Sequence, residues 1–346
     1  MKKHLSMLSR TLFCILFFGV FDVPNGLGQA KKESLFELLT REEVPKITIE
    51  TDMTTLMENR KTNNYFPATL TTADGVVRKM EIKPRGKYRR KKCEIPPLKL
   101  KFSKKALVAE GLDTLNEIKL GVPCFDSDAG DELIVKEYLA YRMFERLTPV
   151  SVRARLVRVT LKDTHVEKSK VNFYALLIED EEELAARLGA TEVEQYGIEP
   201  DSLLSNQAAL TVMFEYMIGN TDWEIAMMRN VRLLRSRENG KVLTVPYDFD
   251  FSGFVSAPYS VPSSESGLKT VRDRFLMASG LRTEALKRAS QQLVSRKKEL
   301  LELCRHKLLS RQTQNEVAAY LETFFAQAEA SSGELPTVQK VPPPTD

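Results

Sequence analysis

Ile218-Gly219-Asn220-Thr221-Asp222-Trp223, then Arg229-Asn230, then Pro246-Tyr247-Asp248-Phe249-Asp250-Phe251-Ser252-Gly253 form the stretch on which the reading of this chain turns. An aspartate follows a long apolar helical run, an asparagine comes eight residues later at a strand start, and Asp-x-Asp closes the next strand. Taken singly, Asp222 reads as a helix-end residue, and Asp248 and Asp250 as turn formers. Taken together around a β-hairpin, they supply carboxylate, amide and carboxylate oxygens. Those are the ligands Mg²⁺ accepts when substrate phosphates complete its shell. The expectation is a metal site at Asn230, Asp248 and Asp250, with Asp222 orienting or deprotonating an acceptor hydroxyl.

Outward from that stretch, residues 201–219 predict a mostly buried helix capped by Asp201-Ser202, with Leu203, Leu204, Leu210, Val212, Met213 and Met217 among its apolar positions. Val231 to Leu234 and Val242 to Tyr247 predict short strands about Arg237-Glu238-Asn239-Gly240, and residues 282–329 predict helix. The earlier half reads differently. Residues 31–45 suggest a short leader helix, and 46–102 are strand-like. Ala73-Asp74-Gly75 lies between two such runs, a hairpin signal. Leu98-Lys99-Leu100-Lys101-Phe102 alternates apolar and basic residues, as a half-buried strand does. Residues 131–147 form the clearest early helix, with Asp131 and Glu132 where the helix dipole favours acids. Strands are expected over 153–161 and 171–178, and the acidic run Glu179 to Glu183 opens a helix ending near Gly189. No internal repeat is visible.

From Arg78 to Lys105 there are thirteen lysines and arginines against Glu81 and Glu94. A charge run of this kind is usually a solvated face. Here it lies beside Gly86 and continues into Lys99 and Lys101, held in fixed directions by a strand, so it suits phosphates or another polyanion. The whole chain, 346 residues with 28% charged, 42% hydrophobic and a net charge of +4, is globular in composition, and that charge names no partner. Three histidines and four cysteines, without HExxH or zinc-finger spacing, exclude the common zinc sites. The absence of G-x-S-x-G argues against a serine hydrolase. Carboxylates are left to do any chemistry.

Met1 to Ala30 carries Lys2, Lys3 and Arg10, an apolar run from Leu12 to Phe21 and the small-x-small exit Gly28-Gln29-Ala30, which predicts a cleaved secretory signal and an exported, periplasmic or extracellular protein. Cleavage leaves Cys93, Cys124 and Cys304. A Cys93–Cys124 disulfide plus one thiol, or three reduced thiols, both fit. Residues 331–346, with three consecutive prolines, predict a disordered tail. No transmembrane segment is expected after signal cleavage.

With these residues in view, the chain resembles the CotH (spore coat protein H) kinase-like family, exported relatives of protein kinases common in Bacteroidetes-like bacteria. The resemblance rests on Arg85-Gly86 and the basic strand at 99–102, the helix at 131–147, and Phe173 to Glu179 leading into an acidic helix. It rests further on Gly219-Asn220-Thr221-Asp222, Arg229-Asn230 and Pro-Tyr-Asp-Phe-Asp at 246–250, and spans roughly residues 45–255. It implies an α+β, atypical protein-kinase-like two-lobed fold. A leader helix and strand-rich N-lobe with one main helix would span 31–178. A helical C-lobe with a metal-site β-hairpin would span 179–330. ATP and Mg²⁺ or Mn²⁺ would sit between them. Carried across, Asp222 is the catalytic aspartate, Asn230, Asp248 and Asp250 hold metal, and Leu177 to Glu179 meet the adenine. Arg85 and Lys101 lie toward the nucleotide. Lys99 is the phosphate-binding lysine with Glu137 as its helix partner, and Lys83, Lys101 and Glu132 compete for those two roles. The gap from Asp222 to Asn230 exceeds that of ordinary protein kinases, and no G-x-G-x-x-G loop occurs. The function implied is phosphoryl transfer from a nucleotide to a hydroxyl, most simply a protein serine or threonine. The alternatives are an inactive pseudokinase that only binds, or a polyanion binder using residues 78–105. Nucleic acid is not expected as a partner, because only Tyr88 and Phe102 interleave with the basic residues.

Overall fold

A computed structural model describes residues 32–278 and 280–330. The signal reading of residues 1–30 and the tail reading of 331–346 lie outside the described residues. From Glu33 onward the described chain forms one unit.

The strand-rich half begins with helix α1 (Leu35–Leu39), whose Ser34 and Glu37 form a capping box. Strand β1 (Lys46–Thr51), helix α2 (Met53–Glu58), and strands β2 (Phe66–Thr72) and β3 (Val77–Pro84) follow. β2 and β3 make the hairpin that Asp74-Gly75 predicts, with Gly75 at φ 84° in the turn. Next come the one-turn helix α3 (Arg89–Lys92), β4 (Leu98–Phe102), α4 (Lys104–Ala109) and β5 (Glu117–Gly121). The 20-residue helix α5 (Asp128–Leu147) and the long hairpin β6 (Ala154–Asp163) and β7 (Lys170–Glu179) complete this half.

The expected two-lobed kinase-like fold with a helical C-lobe is not what these strands build. They close into a seven-stranded barrel of order β1-β2-β3-β4-β5-β7-β6, sealed where β1 runs parallel to β6 with Ile47 beside Val159 and Ile49 beside Leu161. The alternation that predicts each strand is present: Leu98, Leu100 and Phe102 point inward while Lys99 and Lys101 point out. Period two says which residues of a strand face together, but not which distant strands become neighbours. The β1–β6 pairing joins residues more than a hundred positions apart, and no local signal carries it.

The barrel interior is one hydrophobic cluster, including Ile47, Leu70, Ile82, Leu100, Ile118 and Leu177, covered at one end by Leu35, Phe36 and Leu107. Outward-facing Leu156, Leu176 and Ile178 belong to a second cluster with α5 and the later helices. That second part holds α6 (Glu181–Arg187) and a three-stranded sheet of β8 (Ala190–Glu192), β9 (Val231–Ser236) and β10 (Val242–Pro246), in the order β10-β9-β8. It also holds α7 (Ser205–Ile218), α8 (Thr283–Ser295), α9 (Lys297–Leu303) and α10 (Arg311–Ala330). α7 is buried on every side from Gln207 to Ile218. Its predicted Asp201-Ser202 cap lies instead in a separate 3₁₀ turn over Pro200–Ser202. The residue preceding α7 is Leu204, which makes no side-chain cap.

Candidate functional site

α7 positions the site. It ends at Gly219 in the left-handed region (φ 65°), which turns the chain back at once. The returning segment after β10 is stitched onto this corner, because Gly253 N–H donates to the Gly219 carbonyl (3.0 Å) and Phe254 N–H to that of Ile218 (2.9 Å). Asn220 is buried. Its Oδ1 accepts from Asp222 N–H at 3.0 Å, and its carbonyl accepts from the Trp223 indole at 3.1 Å. Asp222 is thereby presented in one direction.

Asn230 answers it from the start of β9. Its Nδ2 donates to the Asp222 carbonyl (2.6 Å) and to Asp222 Oδ2 (3.0 Å). Asn230 and Asp248 are both left-handed, at φ 52° and 67°. Non-glycine residues hold that conformation where surrounding contacts impose it. At Asp248 they are visible: its N–H donates to the Tyr141 hydroxyl of α5 (2.9 Å), and the next side chain, Phe249, is buried between Tyr141 and Phe214.

A cavity of about 1220 Å³ opens over these residues. Asp222, Asn230, Asp248, Asp250, Glu137, Arg85 and Glu179 all line it, so those predicted positions converge. Lys99, Lys101 and Leu177 are not in its wall. Lys99 Nζ ion-pairs with Glu117 (2.5 Å) and Asp180 (3.2 Å), and Lys101 lies over the Tyr65 ring at 4.9 Å, beside Lys83 at 4.6 Å. Leu177 points into the barrel, with its backbone in the ladder between Leu120 and Arg155. Glu132 accepts from Ser310 and Thr313, away from the cavity wall. The expected Lys99–Glu137 pair is therefore corrected: the cation facing Glu137 is Arg89, at 3.5 Å, which also faces Asp250 at 3.8 Å.

Arg89, Lys119, Glu181 and Arg232 also line the cavity and were missed from sequence. Lys119 had only a short signal, since Ile118-Lys119-Leu120 alternates directly before the main helix. It pairs with Glu181 at 2.5 Å, and burial lowers its pKa against the pull of Glu181 and Asp180. Arg89 had none, because a basic run does not reveal which member turns inward. Glu179, read as a hinge residue, is sealed by Arg153 (2.9 Å) and Arg187 (2.6 Å).

Burial holds three carboxyls of the site toward their neutral form, against the arginines that face them. Burial, then repulsion from Asp248, holds the Asp250 carboxyl above its usual range, with Arg89 opposing. Burial raises Glu137 against the same arginine. Asp222 is likewise raised, by burial first, with Arg229 opposing. Asp250 Oδ2 already accepts from the Tyr259 hydroxyl at 3.0 Å. Among the described residues no group of three or more His, Cys, Asp and Glu side chains is placed to hold a metal ion. The carboxylate of Asp248 accepts no hydrogen bond and forms no ion pair there, and Asn230 spends its nitrogen on Asp222, which leaves its Oδ1 for another partner. An amide oxygen and one or two carboxylates are a fitting partial shell for Mg²⁺ or Mn²⁺, which usually keeps several waters and substrate oxygens.

Cys93 and Cys124 are joined in a disulfide and Cys304 is a buried thiol. No helix among the described residues is long and apolar enough to cross a membrane. Compared with known proteins, the chain matches no family model and no curated protein.

Proposed function

We propose that this protein is an exported, metal-dependent phosphotransferase that moves a phosphoryl group from a nucleotide such as ATP to a hydroxyl. The observation that carries the reading is the convergence of Asp222, Asn230 and Asp248 on one large cavity beside Lys119, Arg85 and Arg232. The motifs at 219–222, 229–230 and 246–250, similar to those of the CotH family, support the same chemistry without requiring the two-lobed fold. Export is supported by the signal-like N-terminus and by a disulfide, which persists in oxidising compartments.

Phosphoryl transfer needs positioning and charge stabilisation more than a covalent catalyst. The acceptor oxygen bonds to the transferred phosphorus while the donor's bridging P–O bond breaks, releasing the nucleoside diphosphate. The acceptor proton passes to the Asp222 carboxylate, whose raised pKa suits it to take one. Asn230 holds that carboxylate in place through its Nδ2. Asn230 Oδ1 and Asp248 would hold the divalent metal, which supplies charge neutralisation to the phosphates when bound. Arg85 would face the phosphates, while Lys119 and Arg232, held by Glu181, would add positive charge behind it.

A second reading, a binding protein without turnover, is favoured by Arg89, whose guanidinium already stands between Glu137 and Asp250. The third, a polyanion binder using 78–105, is weakened because Arg78 is paired with Glu110, Lys99 with Glu117 and Asp180, and Arg89 is buried.

The test is a thermal-shift measurement with ATP and Mg²⁺ or Mn²⁺, followed by transfer assays. A ligand at a hundred times its dissociation constant adds about 2.7 kcal/mol, readily seen as a higher midpoint. The shift should require metal and vanish in Asp248→Ala. Asp222→Ala should keep the shift and lose transfer. A shift without transfer in the unaltered protein supports the binding-only reading. No shift with any nucleotide or metal rejects the nucleotide site.

A further inference from the structure

The residues separating Asp222 from Asn230 form a tight hairpin at the cavity. Glu224 N–H donates to the Arg229 carbonyl (2.9 Å) and Arg229 N–H returns to that of Glu224 (3.0 Å). The Ala226 carbonyl accepts from Gly197 N–H at 2.9 Å, which ties the hairpin to a second loop. At their tips stand Met227, 58% exposed, and Tyr196, 64% exposed, both in the cavity wall. Side chains that are exposed and line a cavity mark its opening. Two exposed apolar side chains are too little by themselves to imply a partner; the charges set around them on the same rim are what point to one.

Another part of the rim is basic. Lys87 and Tyr88 line the cavity and are exposed, and the chain continues into α3, where Lys91 and Lys92 are exposed. None of these three lysines forms an ion pair among the described residues. The segment is nevertheless fixed in place. The Cys93–Cys124 disulfide ends it, Arg60 donates to the carbonyls of Arg90 (2.6 Å) and Cys93 (2.7 Å), and Tyr88 packs against Phe251 and Tyr259 at 5.6 and 5.8 Å. The apolar part carries opposite charge, since exposed Glu194 and Glu199 flank Tyr196.

We propose that the acceptor is a protein segment bound across this rim, with an apolar side chain against Tyr196 and Met227 and acidic side chains against Lys87, Lys91 and Lys92. Glu194 and Glu199 repel acids at the apolar part, which sets the segment's direction, and its serine or threonine hydroxyl is delivered to Asp222. A small-molecule acceptor would have no use for either part of the rim. The proposal rests on the phosphoryl-transfer reading, and its test separates the two. Fluorescein-labelled peptides Glu-Asp-Glu-Ser-Phe-Leu, Lys-Lys-Lys-Ser-Phe-Leu and Glu-Asp-Glu-Ser-Gly-Gly are titrated by fluorescence anisotropy, alongside the nucleotide thermal shift. The first should bind at least about tenfold more tightly than either other peptide. Lys87→Glu with Lys91→Glu should erase its advantage over the basic peptide, and Met227→Asp its advantage over the glycine peptide. Each variant should keep the ligand-free melting midpoint of the unaltered protein, which verifies that it is folded. Equal binding of all three peptides, or none, overturns the inference whatever the nucleotide does. Selective peptide binding without any nucleotide shift keeps this docking surface and rejects the transferase reading.

Discussion

Charged side chains with no water to face must find each other, and Glu183 shows what that does to its acidity. It is buried, accepting from the Ser34 hydroxyl at 2.6 Å and from Arg153 at 2.7 Å. Burial, the largest influence, pushes its carboxyl up to about 7, against the lowering effects of Ser34 and Arg153. Between its ordinary value and 7 the folded protein keeps a proton that the unfolded chain has released. Stability from this group is therefore full at low pH and lost as pH rises toward 7. Urea midpoints measured at pH 5 and pH 7.5 should fall less steeply in Glu183→Gln than in the unaltered protein, and parallel slopes would remove Glu183 from the pH response. None of this is legible in Glu179-Asp180-Glu181-Glu182-Glu183, where the acids look alike. The structure gives Glu179 two arginines, Asp180 and Glu181 two lysines of the barrel, and Glu183 a serine from the leader segment.

At the scale of elements, the end of α7 decides whether the site forms. Gly219 is left-handed, and a Cβ there would lie 2.0 Å from the Tyr320 hydroxyl of α10. Gly219→Ala combines a disfavoured φ with that contact and should cost more than about 1 kcal/mol in denaturant unfolding. The Tyr320 hydroxyl is buried and makes no hydrogen bond among the described residues. Adding Tyr320→Phe should therefore recover part of the loss, whereas strictly additive effects would show that the contact does not matter. The helix and the glycine after it are both visible in the sequence. So were α5, the β2–β3 hairpin and the β9–β10 pair, because each depends on residues close in the chain. β5 is the exception: Ile118-Lys119-Leu120 alternates, but so short a run carries little strand signal, and Lys119 of the cavity wall is hidden with it.

For the molecule as a whole, the Cys93–Cys124 bond links the basic α3 to the chain just ahead of α5. Arg89 donates to the Val122 carbonyl inside the resulting loop. Replacing both cysteines with serine should lower unfolding stability by about 2–4 kcal/mol, the usual effect of releasing a native crosslink. It should also loosen Arg89 from Glu137 and Asp250. Urea unfolding of the double variant checks the first expectation, and an unchanged midpoint would contradict it.

By itself the sequence determined the local elements and the chemical character of the site: apolar periodicity sets strand and helix, and Asp222, Asn230, Asp248 and Asp250 are oxygen donors wherever the chain puts them. It also marked Arg78 to Lys105 as strongly basic. Only the tertiary structure decided that the strands close into a barrel through β1 and β6, that Arg89 rather than Lys99 meets Glu137, and that Lys99 is consumed by Glu117 and Asp180. Backbone propensity and side-chain period act over a few residues. Strand closure and ion pairing depend on which distant surfaces become neighbours, and that is set by the packing of the whole chain.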